Sequence, residues 1–476
     1  MGSAAMTAES LREVASVTGG LVVGGGGEDR LPAGYSIDTR TLKPGDLFFA
    51  IVGPKQDGHR FAAEAVLKGA VAIVVSDQAA IPEGCAAVIV KDTTRALQDL
   101  AAGRRRNHRA KVVGITGSAG KTTTKEMTRH VLEGSHNVMA SRGNLNNLFG
   151  LPLSLLDLDE RHDVAILEMG MSTHGELARL AEIADPDVGV LTNVSGAHLQ
   201  YFADLDDYAS AKAELFEGMR PGTTGLFNSD DPRCLRIAAA FRGRACTFGV
   251  DPGSEFRASA YRSEGMLGST FELHHEGRSR AVRLRFAGIH QAMNATAALA
   301  TGVLLGAGLD SMIARIAEME PQMMRGRSHG LRGGGRLLDD SYNANPAAML
   351  AALTVLSETT PNPPGRRVAV LGDMLELGAE SPARHREIGA RLHGAGVGVA
   401  WLVGPLMTDA AETARAGGLS DVRTAATAAE AARGVVEGIR PGDVILVKGS
   451  RGIGLERVTR AVLDALGDEQ DPGGGH

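Results

Sequence analysis

The stretch Lys111-Val-Val-Gly-Ile-Thr-Gly-Ser-Ala-Gly-Lys-Thr-Thr-Thr124 decides the fold of this chain. Its β-branched run through Ile115 predicts a buried strand, the Gly/Ser/Ala segment a turn, and the residues from Lys121 onward a helix. Gly117 and Gly120 allow the backbone to approach an anion closely, and the N–H groups of the turn and helix N-terminus then point at it. The stretch therefore predicts a phosphate-binding loop.

The loop is shorter than the usual eight-residue P-loop pattern, because Ile115 stands where that pattern has its first glycine. A glycine-rich turn before an ordinary helix is the alternative, but the order strand, loop, Lys-Thr and helix favours a nucleotide site. Lys121 would then contact the β- and γ-phosphates, and the Thr122 hydroxyl would bind Mg²⁺. The predicted nucleotide-binding residues are Gly117, Ser118, Ala119, Gly120, Lys121, Thr122 and Thr123.

Composition limits the function classes. A net charge of −6 and an aromatic content of 4% argue against a nucleic-acid partner. The three cysteines (Cys85, Cys234 and Cys246) are widely spaced and odd in number, so they predict no disulfide framework or zinc site and favour the reducing cytoplasm. No apolar run reaches the length of about 18 residues that a membrane-spanning helix needs.

A length of 476 residues suggests three domains, and alternating strand and helix patterns predict that all three are α/β. We place them at 7–107, 108–325 and 326–466, with a doubly wound, mostly parallel sheet in the middle unit. The predicted strands are 46–51, 71–75, 111–116, 163–168, 188–194, 224–228, 245–248, 337–340, 367–371, 400–403 and 443–447. The predicted helices include 61–68, 346–357 and 383–393.

A basic run, Arg104-Arg105-Arg106 with Asn107 and His108, stands just before the phosphate-loop strand. Such a run is compatible with a nucleic-acid patch. Its position between two predicted domains favours a solvated linker instead.

Polar residues gather where the predicted central strands end. Because parallel strands present their carboxyl ends at one edge of a sheet, Glu168 is expected to face Thr122 and hold Mg²⁺, as a Walker-B carboxylate does. A helix cap or an ion pair is the alternative for Glu168. Judged alone, His198 is more often a loop histidine than a metal ligand, and Lys212 is more often a solvated helix lysine than a site residue.

Several spaced motifs resemble the Mur ligase family, in the same order and from about residue 36 to 452. They are Gly143-Asn-Leu-Asn-Asn147, Leu167-Glu-Met-Gly170, Thr192-Asn-Val194 with His198, Asp340-Ser-Tyr-Asn-Ala-Asn-Pro346 and Leu371-Gly-Asp-Met-Leu-Glu-Leu-Gly378. The resemblance implies a UDP-sugar-binding domain, a central P-loop ATPase domain and a carboxy-terminal Rossmann-like domain that binds the acceptor.

The resemblance also implies roles at the ATP site. Lys121 would contact the ATP phosphates, and Thr122 with Glu168 would hold one Mg²⁺. His198 would support a second Mg²⁺ together with Lys212, whose side chain would be carbamylated and so become an anionic ligand. Further nucleotide contacts would come from Asn294 (adenine), Arg327 (phosphates) and Asp340 (ribose).

Substrate-binding residues are implied in all three domains. The uridine nucleotide would be held by Ser36, Asp38, Arg40, Asp57 and His59. The sugar-peptide end would be met by Asn144, Asn146 and Asn147. The remaining substrate-binding positions are Tyr342, Asn343, Asn345, Lys448 and Arg451. For Lys448 to Arg451, a plain turn is the alternative to a loop that closes on the acceptor.

The implied activity is that of a monomeric, cytoplasmic, ATP-dependent amide ligase of peptidoglycan precursor synthesis. It would join UDP-N-acetylmuramoyl-tripeptide to D-alanyl-D-alanine through an acyl phosphate. A sister ligase that adds a single amino acid is one alternative, although the Asp-Asn-Pro-Arg run that resembles diamino-acid recognition is absent. A non-catalytic nucleotide switch is the other.

Overall fold

The computed structural model of the chain describes residues 9–24, 27–53, 56–143, 145–195 and 201–468. Two residues with predicted roles, Asn144 and His198, lie outside the described residues. Within the described part the strands form sheets of five, nine and six strands, and each sheet falls inside one of the three predicted units.

The first sheet has the order β1-β5-β4-β3-β2, with β2 to β5 parallel and β1 antiparallel at one edge. Parallel strands bring the segments that follow β2, β3 and β4 to one edge, where the predicted uridine-binding residues lie. The strands are β1 (Leu21–Val23), β2 (Gly34–Ser36), β3 (Asp46–Phe49), β4 (Ala72–Val75) and β5 (Ala87–Ile89). The helices are α1 (Leu11–Thr18), α2 (Ala62–Leu67) and α3 (Thr93–Arg106).

The basic run is not a solvated linker, contrary to the sequence prediction. It is the last turn of α3, and the residues Arg104 and Arg105 are only 6% and 7% exposed. Arg104 pairs with Glu9 and donates to the carbonyls of Leu156 and Leu158 at 2.9 and 3.1 Å. Buried guanidinium groups need such partners, and the partners come from segments far away in sequence.

Arg105 binds the central domain in the same way. Its guanidinium donates to the carbonyls of Ala184 and Asp185 and to the Asp187 carboxylate, each at 3.0 Å. Desolvation lowers the pKa of this arginine, although Asp187 opposes the shift. The two arginines therefore fasten the first domain to the central one.

The central sheet runs in the order β14-β13-β12-β11-β10-β9-β6-β8-β7. Its strands are β6 (Lys111–Thr116), β7 (Val138–Ala140), β8 (Val164–Glu168), β9 (Val188–Leu191), β10 (Thr224–Asn228), β11 (Arg244–Gly249), β12 (Phe256–Ser263), β13 (Ser269–His275) and β14 (Arg278–Leu284). Its helices are α4 (Lys121–Leu132), α5 (Gly150–Leu155), α6 (Glu176–Ala184), α7 (Leu205–Glu217), α8 (Pro232–Ala240), α9 (Ile289–Leu304) and α10 (Leu309–Glu318).

The strand β6 is covered on both faces, as its continuous apolar run predicts. Val112 packs into the hydrophobic core on one side of the sheet, and Val113 and Ile115 pack into the core on the other. The sequence did not predict the antiparallel ribbon of β12, β13 and β14, which extends the parallel part of the sheet. Its strands alternate buried and exposed residues, the pattern of a sheet with one wet face.

The third sheet has the order β15-β16-β20-β17-β18-β19, with only β15 antiparallel to its neighbour among the described pairs. Its strands are β15 (Arg327–Leu331), β16 (Gly335–Asp340), β17 (Arg367–Gly372), β18 (Val399–Val403), β19 (Val422–Ala425) and β20 (Val444–Lys448). Its helices are α11 (Pro346–Glu358), α12 (Ser381–Gly394), α13 (Thr408–Ala416), α14 (Ala428–Gly438) and α15 (Glu456–Leu466). The two strands that the sequence prediction missed, β15 and β19, are the polar edges of this sheet.

Candidate active site

The phosphate loop joins β6 to α4, and its glycines are required by geometry. Gly117 and Gly120 have φ values of 148° and 82°, where side chains are strained. A Cβ atom on Gly117 would lie 1.9 Å from Thr192 Oγ1, and one on Gly120 would lie 2.4 Å from Asn294 Oδ1. Both glycines therefore allow the loop to curl against neighbouring polar side chains.

The end of β9 holds the loop in this shape. The backbone N–H groups of Ser118 and Ala119 donate to the carbonyl and side-chain oxygens of Asn193, at 3.0 and 3.1 Å. The Thr192 hydroxyl donates to the Ala119 carbonyl at 2.6 Å. The contacts with the end of the neighbouring parallel strand thus hold the loop in this shape.

A hydroxyl oxygen and a carboxylate oxygen lie together at the start of α4. Thr122 Oγ1 donates to Glu168 Oε2 at 2.7 Å, and Asn146 Nδ2 donates to Glu168 Oε1 at 2.8 Å. Glu168 is only 2% exposed and ends β8, directly beside β6. Hydroxyl and carboxylate oxygens are the ligands that Mg²⁺ prefers, and nucleotide phosphates and water supply the rest of such a shell. The residues present therefore fit one Mg²⁺.

Lys121 folds back over its own loop, where its Nζ donates to the Gly117 carbonyl at 2.7 Å. Desolvation lowers the pKa of Lys121, and the nearby charge of Lys212 lowers it further. The ammonium group of Lys121 therefore lies beside the phosphate loop, within reach of an anion bound there.

Lys212 is brought to the same site by α7 and is 2% exposed. Its ammonium lies 4.4 Å from the centroid of the Tyr208 ring, and desolvation lowers its pKa to about 7. Tyr208 is a site residue that the sequence prediction missed. Its spacing from Lys212, one helical turn, was the available signal, since such residues share a helix face.

Asn294 lies behind the phosphate loop, where its carboxamide contacts Thr124 Oγ1 at 3.4 Å and Gln291 Oε1 at 3.0 Å. Nearby, His290 faces Asp340 and Lys448 of the third domain. Burial lowers the pKa of His290 to about 4, with Asp340 opposing the shift. Its imidazole is therefore neutral at pH 7. The adenine contact of Asn294 stays a prediction.

The third domain presents Asp340 and Lys448 towards this edge. They are register partners at the ends of β16 and β20, and Lys448 Nζ donates to Asp340 Oδ2 at 2.5 Å and to the Asn343 carbonyl at 3.0 Å. Arg327 begins β15, and its buried Nε has no hydrogen-bond partner in the described part of the chain. An unpartnered buried donor of this kind is suited to an anionic ligand.

Aromatic and helix-capping contacts account for the Asp-Ser-Tyr-Asn-Ala-Asn-Pro motif. The guanidinium of Arg325 stacks 3.8 Å above the Tyr342 ring, and that of Arg451 lies 5.9 Å from it. Asn345 accepts from the Ala348 N–H at 2.8 Å and so caps α11, while Asn343 accepts from the N–H of Ala344 at 2.9 Å. Arg325 was not among the predicted site residues.

The predicted uridine-binding residues gather at one edge of the first sheet, mainly through local contacts. Arg40 Nε and Nη2 donate to the two oxygens of the Asp38 carboxylate at 2.9 and 2.6 Å. The Ser36 hydroxyl donates to the Asp38 carbonyl at 3.1 Å. Asp57 accepts from the His59 N–H at 3.0 Å, and His59 Nε2 accepts from the N–H of Ser76 at 2.9 Å. The Asp38 pKa is lowered, chiefly by Arg40.

Across the described ranges, no group of three or more His, Cys, Asp or Glu side chains comes together in a way that could hold a metal ion. None of the helices described combines the length and apolar character needed to cross a bilayer.

Three family models cover the chain in succession. Residues 33–118 match the Mur ligase family catalytic domain, 115–302 the Mur ligase middle domain, and 325–451 the Mur ligase glutamate ligase domain. The chain also shares 37% identity over 432 residues with the Escherichia coli protein named UDP-N-acetylmuramoyl-tripeptide–D-alanyl-D-alanine ligase. That alignment spans 90% of this chain and 93% of the relative. The chain belongs to the Mur ligase family.

Other Mur ligases extend the likeness. The Synechocystis protein of the same name is 35% identical, over 90% of this chain and 91% of its own. A crystal structure of MurF from Acinetobacter baumannii superposes with a TM-score of 0.86 and 30% identity, covering 96% of this chain and 99% of that one. MurF from Thermotoga maritima in complex with ADP gives a TM-score of 0.80 at 28% identity, over 91% and 97% of the two chains. The predicted three-domain α/β fold is confirmed.

Proposed function

We propose that the protein is an ATP-dependent ligase that joins D-alanyl-D-alanine to UDP-N-acetylmuramoyl-tripeptide in the cytoplasmic synthesis of peptidoglycan precursors. One observation carries the catalytic part: Glu168 is held by Thr122 and Asn146 beside a preformed phosphate loop. The names of the relatives that match almost the whole chain support the choice of substrates.

The first step activates the substrate. The terminal carboxylate of the tripeptide attacks the γ-phosphorus of ATP, which gives an acyl phosphate and ADP. Lys121 leaves the Gly117 carbonyl for the phosphate oxygens, and the loop N–H groups orient the phosphates. Thr122 and Glu168 would hold Mg²⁺, which when bound would neutralise charge on those oxygens. Most of the rate enhancement comes from positioning and electrostatics.

The second step forms the amide. The amine of D-alanyl-D-alanine attacks the acyl carbonyl, and the tetrahedral intermediate expels phosphate. We assign Tyr342, Asn343, Asn345, Lys448 and Arg451 to this acceptor side and Asp340 to the ribose. Water would hydrolyse the acyl phosphate, so the third domain must close over the site. The Arg327 side chain, with its unpartnered Nε, would then meet the phosphates.

Lys212 is proposed as a carbamylated ligand of a second Mg²⁺, together with His198. Its uncharged amine would add to CO₂ and release one proton, which turns the side chain into an anion. Burial of the amine favours this chemistry, because it lowers the pKa to about 7 and leaves much of the group uncharged at neutral pH.

The remaining assignments complete the proposal. Residues 7–107 bind the UDP-sugar through Ser36, Asp38, Arg40, Asp57 and His59. Residues 108–325 bind ATP and meet the sugar-peptide end through Asn144, Asn146 and Asn147. Residues 326–466 bind the acceptor. The protein acts as a monomer.

The test is phosphate release from ATP and Mg²⁺ with UDP-muramoyl-tripeptide, with and without D-alanyl-D-alanine. Release that requires both substrates, with a pentapeptide product by mass spectrometry, is the expected result. Release that needs neither substrate would reduce the protein to a nucleotide hydrolase. Product formed with a single amino acid in place of the dipeptide would point to a sister ligase.

A further inference from the structure

A second lysine of α4, Lys125, is buried without being part of the phosphate loop. It lies one turn after Lys121, and its side chain is completely buried. Its Nζ donates to the carbonyls of Ser141 and Gly143, at 2.5 and 3.3 Å, and lies 3.0 Å from Glu126 Oε1. A buried ammonium is retained only where such partners compensate its desolvation.

The backbone that Lys125 holds also holds Glu168. The Ser141 hydroxyl accepts from the Glu168 N–H at 3.1 Å. The Leu145 N–H closes a turn onto the Arg142 carbonyl at 3.1 Å, and the next residue, Asn146, donates to Glu168 Oε1 at 2.8 Å. The segment that begins at Ser141 therefore contacts Glu168 twice. The Ser141 hydroxyl binds the Glu168 backbone N–H, and Asn146, just beyond Gly143, binds the Glu168 carboxylate.

Lys125 thus connects two parts of the site that are separate in sequence. The helix that carries it begins with Lys121 and Thr122, and the segment that it binds leads to the asparagines assigned to the sugar-peptide substrate. Any shift of this segment away from α4 would move Asn146 and change the distance between Thr122 and Glu168.

We propose that Lys125 is a positioning residue, which couples the phosphate-loop helix to the segment Ser141–Gly143. It sets the Thr122–Glu168 spacing for Mg²⁺ and orients Asn146. This inference rests on the proposed function for its Mg²⁺-nucleotide ligand and names a residue that no motif assigned.

The experiment compares Lys125→Met with the matched control Arg129→Met. Arg129 pairs with the same Glu126 at 2.9 Å, one turn further along α4, and has no described contact with Ser141–Gly143. Binding of fluorescent ADP is titrated at a series of Mg²⁺ concentrations, and KM values are measured for both ATP and the UDP-linked substrate.

For Lys125→Met we expect a Mg²⁺ requirement for ADP binding raised about tenfold, since bonds made by a charged donor are lost. ADP binding without Mg²⁺ stays near wild type, and KM rises for the UDP-linked substrate. Arg129→Met stays within about twofold on all readouts, as half-exposed ion pairs contribute little. A Lys125→Met protein that melts earlier yet keeps a wild-type Mg²⁺ dependence would overturn the proposal, because the role would then be structural only.

If Lys125→Met does not fold, the variant Ser141→Ala tests the proposed coupling instead. This variant keeps the carbonyl that Lys125 binds but removes the hydroxyl that accepts from the backbone N–H of Glu168. The same rise in the Mg²⁺ requirement for ADP binding is therefore expected. An unchanged requirement would contradict the coupling. Because ADP binding needs neither ligase substrate, these results stand apart from a failure of the wild-type protein to make the pentapeptide.

Discussion

The nucleotide-binding edge predicted in the central domain and the uridine-binding edge predicted in the first domain both lie at the carboxyl ends of parallel strands, yet they are built differently. Glu168 is 2% exposed and is bound by side chains from two other segments. The Arg40 side chain is 86% exposed and, among the residues that the structure describes, pairs only with Asp38, two residues away. The first site is held by long-range contacts. The second depends mainly on pairs between near neighbours in sequence, with the bond from the Ser76 N–H to His59 Nε2 as an exception.

The two edges therefore differ in what holds their side chains in place. Buried groups with long-range partners keep their geometry before any ligand arrives, so that binding energy is not spent on ordering them. Exposed local pairs contribute little on their own, and a ligand can replace them easily. Substitutions should therefore be far more damaging on the ATP side.

The largest effect is expected from Lys212→Ala. Turnover should be nearly abolished, by at least about 10²-fold, because the proposed ligand of the second Mg²⁺ is removed. Added bicarbonate should give no recovery. NMR with isotope-labelled bicarbonate should detect a carbamate in the wild type but not in the variant. Normal activity in Lys212→Ala would show that the carbamate assignment is wrong.

Glu168→Gln should have the next largest effect, with kcat reduced about 10²-fold or more. The amide keeps the shape of the side chain but removes the anionic ligand proposed for Mg²⁺. Phosphate release as a function of Mg²⁺ concentration measures this. Glu160→Gln, at an exposed site, is the control. Wild-type turnover at wild-type Mg²⁺ levels would argue against the metal role of Glu168.

Asn146→Ala should have an intermediate effect, raising the Mg²⁺ requirement about tenfold because Glu168 loses one of its two side-chain donors. Titration of fluorescent ADP against Mg²⁺ reports this. Asn137→Ala, whose amide contacts Asp163 at the opposite edge of the sheet, serves as the control. The same Mg²⁺ requirement in both variants would show that Asn146 does not contribute to Mg²⁺-dependent ADP binding.

Arg40→Ala should have the smallest effect, a rise of a few fold in KM for the UDP-linked substrate with kcat unchanged, because an exposed pair contributes about 1 kcal/mol or less. Steady-state kinetics with the UDP-linked substrate varied is the measurement. Arg12→Ala, in another exposed ion pair of the same domain, is the comparison. A loss as large as that of Glu168→Gln would mean that the two sites are equally braced.

The sequence predicted the parts of this site that follow from local order. Strand, loop and helix from Lys111 onward are local, and Glu168 could be placed opposite Thr122 because parallel strands share an edge. The asparagine motif came from family resemblance, but its contact with Glu168 depends on a turn closed in three dimensions. The Tyr208–Lys212 contact had only a weak local signal.

Long-range contacts explain the failures. Nothing local to Arg104 and Arg105 indicates that carbonyls from residues 156, 158, 184 and 185 would surround them, so a solvated linker was the natural prediction. The ribbon of β12 to β14 was missed because a repeating strand–helix pattern favours more parallel strands. The polar edges β15 and β19 lack the apolar run that marks a buried strand.

The burial of those two arginines has a consequence for how the chain unfolds. One continuous hydrophobic core contains Leu11 and Leu97 of the first domain together with Leu155 and Leu180 of the central domain. A cut near residue 107 would leave Arg104 and Arg105 on one fragment and their carbonyl partners on the other. We therefore expect the first two domains to unfold together as a single cooperative unit.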